Sequence, residues 1–299
     1  MKVISCGDPN YKTIQFEWFL TNWCNFKCTY CSEVTRLITQ FDKQKSPTKH
    51  KLVLSRLKNI KDLFVIELIG GEPTLHPNID EIISELELME YCKEVQLITN
   101  LSRPVHFYNK FDSGEYKKLS ILCSFHPEFY KDEWLEKVLE FKDFKNIKFT
   151  IVFNLIDKKE YWPLTLKVLQ ELKDNNVRFA YNILSSTPRW SPNYTTEFYE
   201  TFNQYLDTGK FKENISYNFD DGSTNIFHEG QIIEKKLHYL KNYLCTPIRY
   251  RITHEGDIHN FCNNRKLPLL ISSNDLYKKE RCINECCGCD AVFKFYKEL

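Results

Sequence analysis

The sequence lacks two features that would point to a membrane or to nucleic acid. No apolar run approaches the roughly 20 residues that a membrane-spanning helix needs. Neither sign of charge predominates, because 41 lysines and arginines balance 40 acidic residues and leave a net charge of +1. Such a balance gives no electrostatic footprint for nucleic acid and indicates a mixed, solvated surface. We therefore expect neither nucleic acid nor a membrane among the partners of this protein.

The N-terminus also lacks an export signal. Its opening residues, MKVISCGDP, are too polar to begin a secretory signal peptide. We accordingly expect a cytoplasmic protein, and reducing surroundings favour cysteines as metal ligands over disulfides. The sequence contains no internal repeat, and its 299 residues suit one large domain or a core of about 200 residues with a smaller module.

Strand and helix patterns alternate about six times between residues 14 and 184. Strand-like runs lie at 14–20, 63–69, 95–99, 119–124, 147–153 and 177–183, with helical spacing between most of them. This alternation predicts parallel β/α units with right-handed crossovers. Six units are fewer than the eight of a closed barrel, so we predict an α/β fold with a partial, TIM-like (β/α)6 barrel. Functional groups should collect at the carboxyl ends of its strands.

Beyond residue 185 the pattern changes to a mixture of helix, loop and hairpin. Helical patterns occur at 195–205 and 232–244, with a loop-rich stretch at 206–230 between them. Residues 250–261 predict a β-hairpin that turns at Glu255–Asp257.

The chain accordingly divides into three parts. We predict a barrel core at 1–185, a helical and loop connection at 186–240, and a small module with the hairpin and most of the remaining cysteines at 241–299. The aromatic side chains near the connection are Trp190, Tyr194, Phe198, Tyr199, Phe202 and Tyr205. They could cover a substrate cavity, although packing in a helix core is the plainer interpretation for most of them.

Three cysteines follow the first predicted strand of the core in a C-x3-C-x2-C arrangement. They are Cys24, Cys28 and Cys31. Thiolates are soft ligands that suit iron–sulfur clusters or zinc. Three of them fill three corners of a [4Fe–4S] cube and leave one iron open, as a catalytic metal site requires. A three-cysteine zinc site or chance spacing is the alternative.

A second segment at a strand end consists of Gly70, Gly71, Glu72 and Pro73. Glycines allow a ligand to approach the backbone closely, and a carboxylate can accept charge-assisted hydrogen bonds from an ammonium group. A plain turn between a strand and a helix is the alternative.

The cysteine spacing, the β/α units and the Gly-Gly-Glu-Pro segment together resemble the radical S-adenosylmethionine (SAM) superfamily. Tyr30 also fits, because that family usually has an aromatic residue before the third cysteine. The resemblance implies that Cys24, Cys28 and Cys31 hold a [4Fe–4S] cluster whose open iron is chelated by SAM. It further implies reductive cleavage of SAM to a 5′-deoxyadenosyl radical that abstracts a hydrogen atom from the substrate. An electron donor such as flavodoxin or ferredoxin is then required.

The same resemblance assigns further residues to SAM. Gly70–Pro73 would meet its amino group, Asn100 matches a strand end that approaches it, and Ser124 and Asn154 match positions that contact its ribose or carboxylate. A helix-cap or turn role is the alternative for each of the last three. His126 is a candidate catalytic residue that would face the substrate, and a surface or satisfied core histidine is the plainer interpretation.

Six further cysteines cluster towards the C-terminus. They are Cys245, Cys262, Cys282, Cys286, Cys287 and Cys289. Metal ligands from a hairpin and a terminal loop would stabilise a small module that has little core of its own. The arrangement is similar to the shortened, twitch version of the SPASM domain, which implies one auxiliary [4Fe–4S] cluster with Cys245 and Cys262 as its firmer ligands. A structural zinc ribbon is the alternative.

These motifs identify cofactor chemistry and leave the substrate open. We expect abstraction from an unactivated C–H bond, leading to dehydrogenation, epimerisation, or C–C or C–S bond formation. Because the first predicted strand begins by residue 14, no leader-binding domain is expected before it, which favours a small sugar- or amino-acid-derived substrate. A peptide-modifying maturase is the alternative. An alternative from another functional class is a non-catalytic iron–sulfur or zinc protein that acts in electron transfer or assembly.

Overall fold

The computed structural model describes residues 2–8, 10–31, 49–183, 195–206, 214–228, 231–232, 235–283 and 297–299. The strands are β1 (Val3–Cys6), β2 (Ile14–Thr21), β3 (Phe64–Gly70), β4 (Cys92–Thr99), β5 (Leu119–Phe125), β6 (Lys148–Leu155), β7 (Phe179–Ile183), β8 (Asn214–Phe219), β9 (Thr224–His228), β10 (Leu244–Cys245), β11 (Arg249–Ile252), β12 (Ile258–Asn260), β13 (Glu280–Arg281) and β14 (Lys297–Glu298). The α-helices are α1 (His50–Lys58), α2 (Ile79–Leu88), α3 (His106–Asn109), α4 (Asp132–Glu140), α5 (Trp162–Asp174), α6 (Thr196–Leu206) and α7 (Ser273–Leu276). Short 3-10 helices lie at Pro73–Leu75, Lys110–Ser113, Pro127–Phe129, Phe141–Asp143 and Lys159–Tyr161.

The strands of the described residues form two sheets. The larger sheet has the order β12-β11-β2-β3-β4-β5-β6-β7, and the smaller has the order β13-β10-β14-β1-β8-β9. Strands β2 to β7 pair in parallel, each with the next along the chain. This confirms the predicted α/β fold with a partial barrel of six units.

The outer face of the larger sheet packs against helices. Phe16, Trp18, Ile66 and Leu68 are fully buried, and they share one core with residues of α1, α2, α4 and α5. Because side chains alternate between the faces of a strand, the intervening residues point to the inner face of the sheet. Cys6, Cys92 and Cys123, which lie outside both cysteine groups, are buried. No helix in the described ranges is both long and apolar enough to cross a membrane.

The inner face of this sheet carries charged side chains. Glu17 of β2 lies in register with Glu67 of β3 on one side and with Arg251 of β11 on the other. Arg249 forms an ion pair with Glu17, and both side chains are only 9% exposed. A polar wall therefore lies beneath the carboxyl edge of the parallel strands.

The C-terminal hairpin belongs to the barrel sheet. β11 pairs in parallel with β2, and β12 pairs antiparallel with β11. The turn between them contains Gly256 at a φ of +88°, where the sequence predicts it. β10, β13 and β14 instead join β1 in the smaller sheet. The three-part division of the chain stays a prediction, but its last part contacts both sheets.

The expected loop-rich stretch at 206–230 contains a hairpin, so this expectation is wrong. β8 and β9 pair antiparallel. Ile215, Tyr217 and Phe219 are buried on one face of β8, in the alternating pattern of a half-buried strand. Gly222, with a φ of +83°, lies in the turn. The alternation and the Asp-Asp-Gly turn were both visible in the sequence.

The expected helix at 232–244 is confirmed only at its start, because residues 231–232 are helical and the rest of its described part is not. Residues 235–243 form turns, and the chain then enters β10. Lys236 and Asn242 have positive φ values of 56° and 72°. A right-handed helix does not include residues in the left-handed conformation. The chain therefore leaves the helix here, although the apolar side chains have helical spacing.

The predicted helix at 195–205 is confirmed by α6. Phe198 and Phe202 are buried in the main core, and each ring lies 6.0 Å from the ring of Trp162. These two side chains therefore pack in a helix core, which is the plainer of the two interpretations, whereas Tyr199 is 39% exposed. Trp190, Tyr194 and the side chain of Tyr205 lie outside the described residues.

Candidate cofactor site

The first three cysteines lie on the loop after β2, at the carboxyl edge of the parallel strands. This segment, residues 22–31, is called the cysteine loop below. All three thiols are partly exposed. Burial raises the pKa of Cys28 to about 12, and repulsion from Cys24 and Cys31 adds to this effect. Burial likewise raises the pKa of Cys24 to about 11, with Cys31 contributing. The three thiols are therefore close enough to repel one another when ionised.

This donor set suits an iron–sulfur cluster. Three soft thiolates would repel each other without a cation, and a bound cluster removes that repulsion while keeping the thiols deprotonated. The described part of the chain contains no group of three His, Cys, Asp or Glu side chains close enough to hold a single metal ion. A four-iron cube is larger than one ion, and its ligands accordingly stand farther apart.

The first half of the cysteine loop packs against the segment that follows β3. The amide of Gly71 donates to the Thr21 carbonyl, and the amide of Glu72 donates to the Trp23 carbonyl, both at 2.8 Å. A Cβ atom at Gly71 would lie only 2.1 Å from the Trp23 oxygen, and one at Gly70 would lie 2.5 Å from the Thr21 oxygen. These glycines are therefore required by contact within the chain itself, as well as by any ligand.

Glu72 is buried beneath this contact. Its carboxylate accepts hydrogen bonds from the Thr74 amide at 3.1 Å, from the hydroxyls of Thr74 and Thr99 at 2.7 Å, and from the Asn100 amide at 2.7 Å. Burial raises the pKa of Glu72, and these hydrogen bonds act in the opposite direction. The carboxylate thus joins the ends of β3 and β4. Pro73 is also buried, at the start of a 3-10 helix.

Asn100 extends this connection to the cysteine loop. Its side-chain amide donates to Asn25 Oδ1 at 2.9 Å and lies 4.0 Å from Cys24 Sγ. Ser124 and Asn154 lie near the carboxyl ends of β5 and β6 and are partly exposed. The structure therefore places all three polar residues along one edge of the sheet, with Asn100 in contact with the loop.

The second half of the cysteine loop contacts the end of β5. The Phe26 ring stacks on Phe129, with centroids 4.5 Å apart, and meets His126 edge-on at 5.6 Å. His126 Nδ1 lies 2.9 Å from the Tyr30 hydroxyl and 3.4 Å from Cys28 Sγ. Burial lowers the pKa of His126 to about 4, so the ring is neutral at neutral pH. The candidate catalytic histidine is therefore packed against a predicted cluster ligand.

A polar network beside this contact was missed by sequence reasoning. Glu128 accepts hydrogen bonds from the Thr29 amide at 2.7 Å, from the Thr29 hydroxyl, and from the Tyr161 hydroxyl at 2.9 Å. Lys158 donates to the Thr29 hydroxyl at 3.1 Å. Burial opposes ionisation of Glu128, but the hydrogen bonds and Lys158 outweigh it and lower the pKa. No local motif signals this network, because folding alone brings the ends of β5 and β6 to the loop.

The described C-terminal cysteines come from both sheets. Cys245 ends β10, Cys262 follows β12 and Cys282 follows β13. Cys245 lies in register with Glu280, whose carboxylate accepts a hydrogen bond from Arg265 Nε at 3.0 Å. These contacts bring the turn that carries Cys262 next to the strands that carry the other two cysteines. Cys286, Cys287 and Cys289 lie outside the described residues.

A partial parallel barrel with three converging thiols at its carboxyl edge defines a cluster-binding α/β protein. The family model of the radical SAM superfamily matches residues 18–184, which is more than half of the chain. The chain belongs to the radical SAM superfamily. Membership implies a [4Fe–4S] cluster and SAM as its cofactors.

Curated relatives match a smaller part of the chain. It is 34% identical over 79 residues to a GTP 3′,8-cyclase of Helicobacter pylori, covering 26% of this chain and 24% of that protein. It is 31% identical over 98 residues to an S-adenosylmethionine-dependent nucleotide dehydratase of Fibrobacter sp., covering 30% of this chain and 28% of that protein. The chain thus matches about a quarter of the length of these relatives.

A solved structure supports the fold over most of the chain. Polyhistidine-tagged anSMEcpe with bound AdoMet superimposes with a TM-score of 0.57, covering 89% of this chain and 80% of that one. Sequence identity between the two is 14%, so the likeness concerns the fold alone.

Proposed function

We propose that this protein is a radical SAM enzyme that binds its cluster through Cys24, Cys28 and Cys31 and removes a hydrogen atom from a polar small molecule. The observation that carries the proposal is the convergence of these thiols at the carboxyl edge of the partial barrel. When bound, the cluster supplies the electron for cleavage of SAM, which generates the 5′-deoxyadenosyl radical.

The chain's own residues would hold and orient SAM beside the cysteine loop. We assign Gly70–Pro73, Asn100, Ser124 and Asn154 to this role, together with Tyr30. Their position on adjoining strand ends supports the assignment. Within Gly70–Pro73, Glu72 would serve this role indirectly, because the hydrogen bonds of its carboxylate fix the segment whose backbone faces this edge.

A polar substrate is supported by the inner wall of the sheet. The side chains of Glu67 and Arg251 are 28% and 33% exposed there, so charged groups of both signs remain partly accessible. The Arg251 guanidinium lies 5.2 Å from the ring of Phe19 and 4.8 Å from that of Phe261. Both curated relatives are named for action on GTP or nucleotides. Nucleotides are therefore the first small molecules to test.

An auxiliary [4Fe–4S] cluster in a twitch-like module at 241–299 is a further part of the proposal. The hydrogen bond from Arg265, near Cys262, to Glu280, which pairs with Cys245, supports it, and the ligands would be chosen from Cys245, Cys262, Cys282, Cys286, Cys287 and Cys289. Iron near eight per chain would support two cubes. Iron near four with one zinc would instead support the structural zinc site.

Anaerobic reconstitution tests the proposal. Reduced protein, supplied with dithionite or with flavodoxin or ferredoxin, should convert SAM to 5′-deoxyadenosine. Cys28→Ala should abolish this product, whereas Cys92→Ala, a buried cysteine of the core, should retain it. Cys262→Ala should keep the SAM-responsive cluster and lose the auxiliary iron. A fully loaded wild-type protein that forms no 5′-deoxyadenosine, with or without nucleotides, would rule out the enzyme.

A further inference from the structure

The thiol of Cys28 differs from that of Cys24 in its hydrogen-bond donors. Cys24 Sγ accepts from the backbone amide of Phe26 at 3.4 Å. Cys28 Sγ instead lies 3.4 Å from His126 Nδ1, which itself lies 2.9 Å from the Tyr30 hydroxyl. The donors at Cys28 are thus side chains, which substitution can remove one at a time.

His126 is held in a fixed orientation at this sulfur. Its ring lies nearly parallel to that of Tyr30, with centroids 6.0 Å apart and planes 13° apart. Phe26 closes a second side at right angles. The ring therefore has little freedom to turn away, and its Nδ1 atom remains within reach of both Cys28 and the Tyr30 hydroxyl at 2.9 Å.

If Cys28 binds the cluster as a thiolate, its charge determines the direction of the hydrogen bonds made by Tyr30 and His126. A thiolate has lone pairs and no hydrogen, so it can only accept. A tyrosine hydroxyl and a neutral imidazole each have one hydrogen to donate. Hydrogen bonds to a charged acceptor are stronger than those between neutral partners, so the thiolate favours the tautomer of His126 with its hydrogen on Nδ1 and a Tyr30 hydroxyl rotated towards the sulfur.

We infer that Tyr30 and His126 donate hydrogen bonds to the Cys28 thiolate and thereby raise the reduction potential of the cluster, a conclusion that rests on the proposed function. Reduction adds negative charge, and hydrogen bonds to the ligand sulfur stabilise that charge. His126 is thus a positioning and tuning residue that acts through Cys28. This differs from the substrate-facing role that the sequence suggests.

Potentiometric titration of the reconstituted protein, followed by electron paramagnetic resonance, tests the inference. The signal of the first cluster is identified by its change on addition of SAM. Tyr30→Phe and His126→Leu should each shift its midpoint potential to a more negative value. His126→Asn keeps a donor close to the position of Nδ1 and should shift the potential less than His126→Leu. Tyr116→Phe is the matched control, because that hydroxyl contacts Ser84 at 3.3 Å, away from the loop.

Different results would overturn the proposed function and the role of the two donors at Cys28. Wild-type protein without a SAM-responsive cluster would overturn the proposed function. Wild-type and variant clusters with the same potential would overturn the inference and leave the proposed function intact. If His126→Leu does not retain iron, Tyr30→Phe decides, because it removes one oxygen atom and preserves the aromatic packing.

Discussion

The two cysteine groups of this chain are built by different routes. The first lies within one loop, and its neighbours come from the strand ends of a single sheet: Gly71 on one side and Glu128 on the other. The second draws its described members from two sheets, with Cys245 on one and Cys262 next to the other. The first group therefore depends on one sheet edge, whereas the second depends on how two sheets dock.

This difference explains why one motif is local and the other is dispersed. A loop at the carboxyl edge of parallel strands can bring three thiols together with only six residues of chain between the first and the last. The proposed second site would need contacts such as that between Arg265 and Glu280 to bring its cysteines together. We expect the first site to fail when the sheet edge is changed and the second when docking is changed.

The largest expected effect is at Gly71. In Gly71→Ala the new Cβ would lie 2.1 Å from the Trp23 oxygen, so the backbone of the cysteine loop must move. We expect loss of the first cluster, about four iron atoms per chain, with the auxiliary metal retained. Iron analysis and visible absorption measure this.

Gly222→Ala provides the control for that prediction. No atom lies within 4 Å of its new Cβ, although its φ of +83° is strained for alanine. It should cost about 1–2 kcal/mol of stability and no iron. Full iron content in Gly71→Ala would contradict the dependence of the first group on the sheet edge.

The next largest effect is expected at the buried ion pair of Arg249 and Glu17, which joins the C-terminal strand β11 to the barrel strand β2. Arg249→Met leaves the buried Glu17 charge with only its longer, 3.8 Å contact to Arg251, and should lower the free energy of unfolding by about 3–5 kcal/mol. Anaerobic urea unfolding measures this. The double variant Glu17→Met with Arg249→Met should recover much of the loss, because neither charge is then uncompensated. A single variant as stable as wild type would show that β11 does not rely on this pair to join β2.

The smallest effect is the acid sensitivity of the segment beneath the cysteine loop. Burial, with repulsion from His50, lowers the pKa of His76 to about 4. A histidine in the unfolded chain has a pKa of about 6.5. On acidification the unfolded chain therefore binds a proton at His76 before the folded chain does. The stability from a neutral His76 is complete above about pH 6.5 and decreases as the pH falls towards 4.

Unfolding measured at pH 7 and pH 5 tests this expectation. Between these values His76 should account for a loss of about 2 kcal/mol in the free energy of unfolding. His76→Asn, which keeps an acceptor for the Asn78 amide, should lack that part of the loss. His106→Asn, at an exposed histidine, should lose as much as wild type. An unchanged pH dependence in His76→Asn would show that the burial of His76 does not control this step.

Much of the barrel was predictable because its signals are local. The apolar runs at 14–20 and 63–69 became β2 and β3, since strands covered on one face by helices must be rich in large apolar residues. The hairpin of β8 and β9 carried the same kind of signal in Ile215, Tyr217 and Phe219. The helix expected at 232–244 shows the opposite case, because apolar spacing does not report left-handed residues such as Asn242.

The candidate site was predictable in its residue types and not in its contacts. Spacing predicts Cys24, Cys28 and Cys31 as cluster ligands, since three soft donors grouped on one loop suit an iron–sulfur cluster. The positions of His126 and Glu128 against that loop depend on residues about 100 apart in the chain. No pattern in the sequence encodes such a separation directly.

The sequence by itself determined the class of the core, the candidate ligands of the first cysteine group and the turn at Gly256, because each depends on neighbours within a few residues. Only the tertiary structure decided that β11 joins β2, that Glu72 connects two strand ends, and that Tyr30 and His126 meet at Cys28. These contacts follow from how the strands align and dock, and alignment is set by the packing of the whole sheet rather than by any one segment.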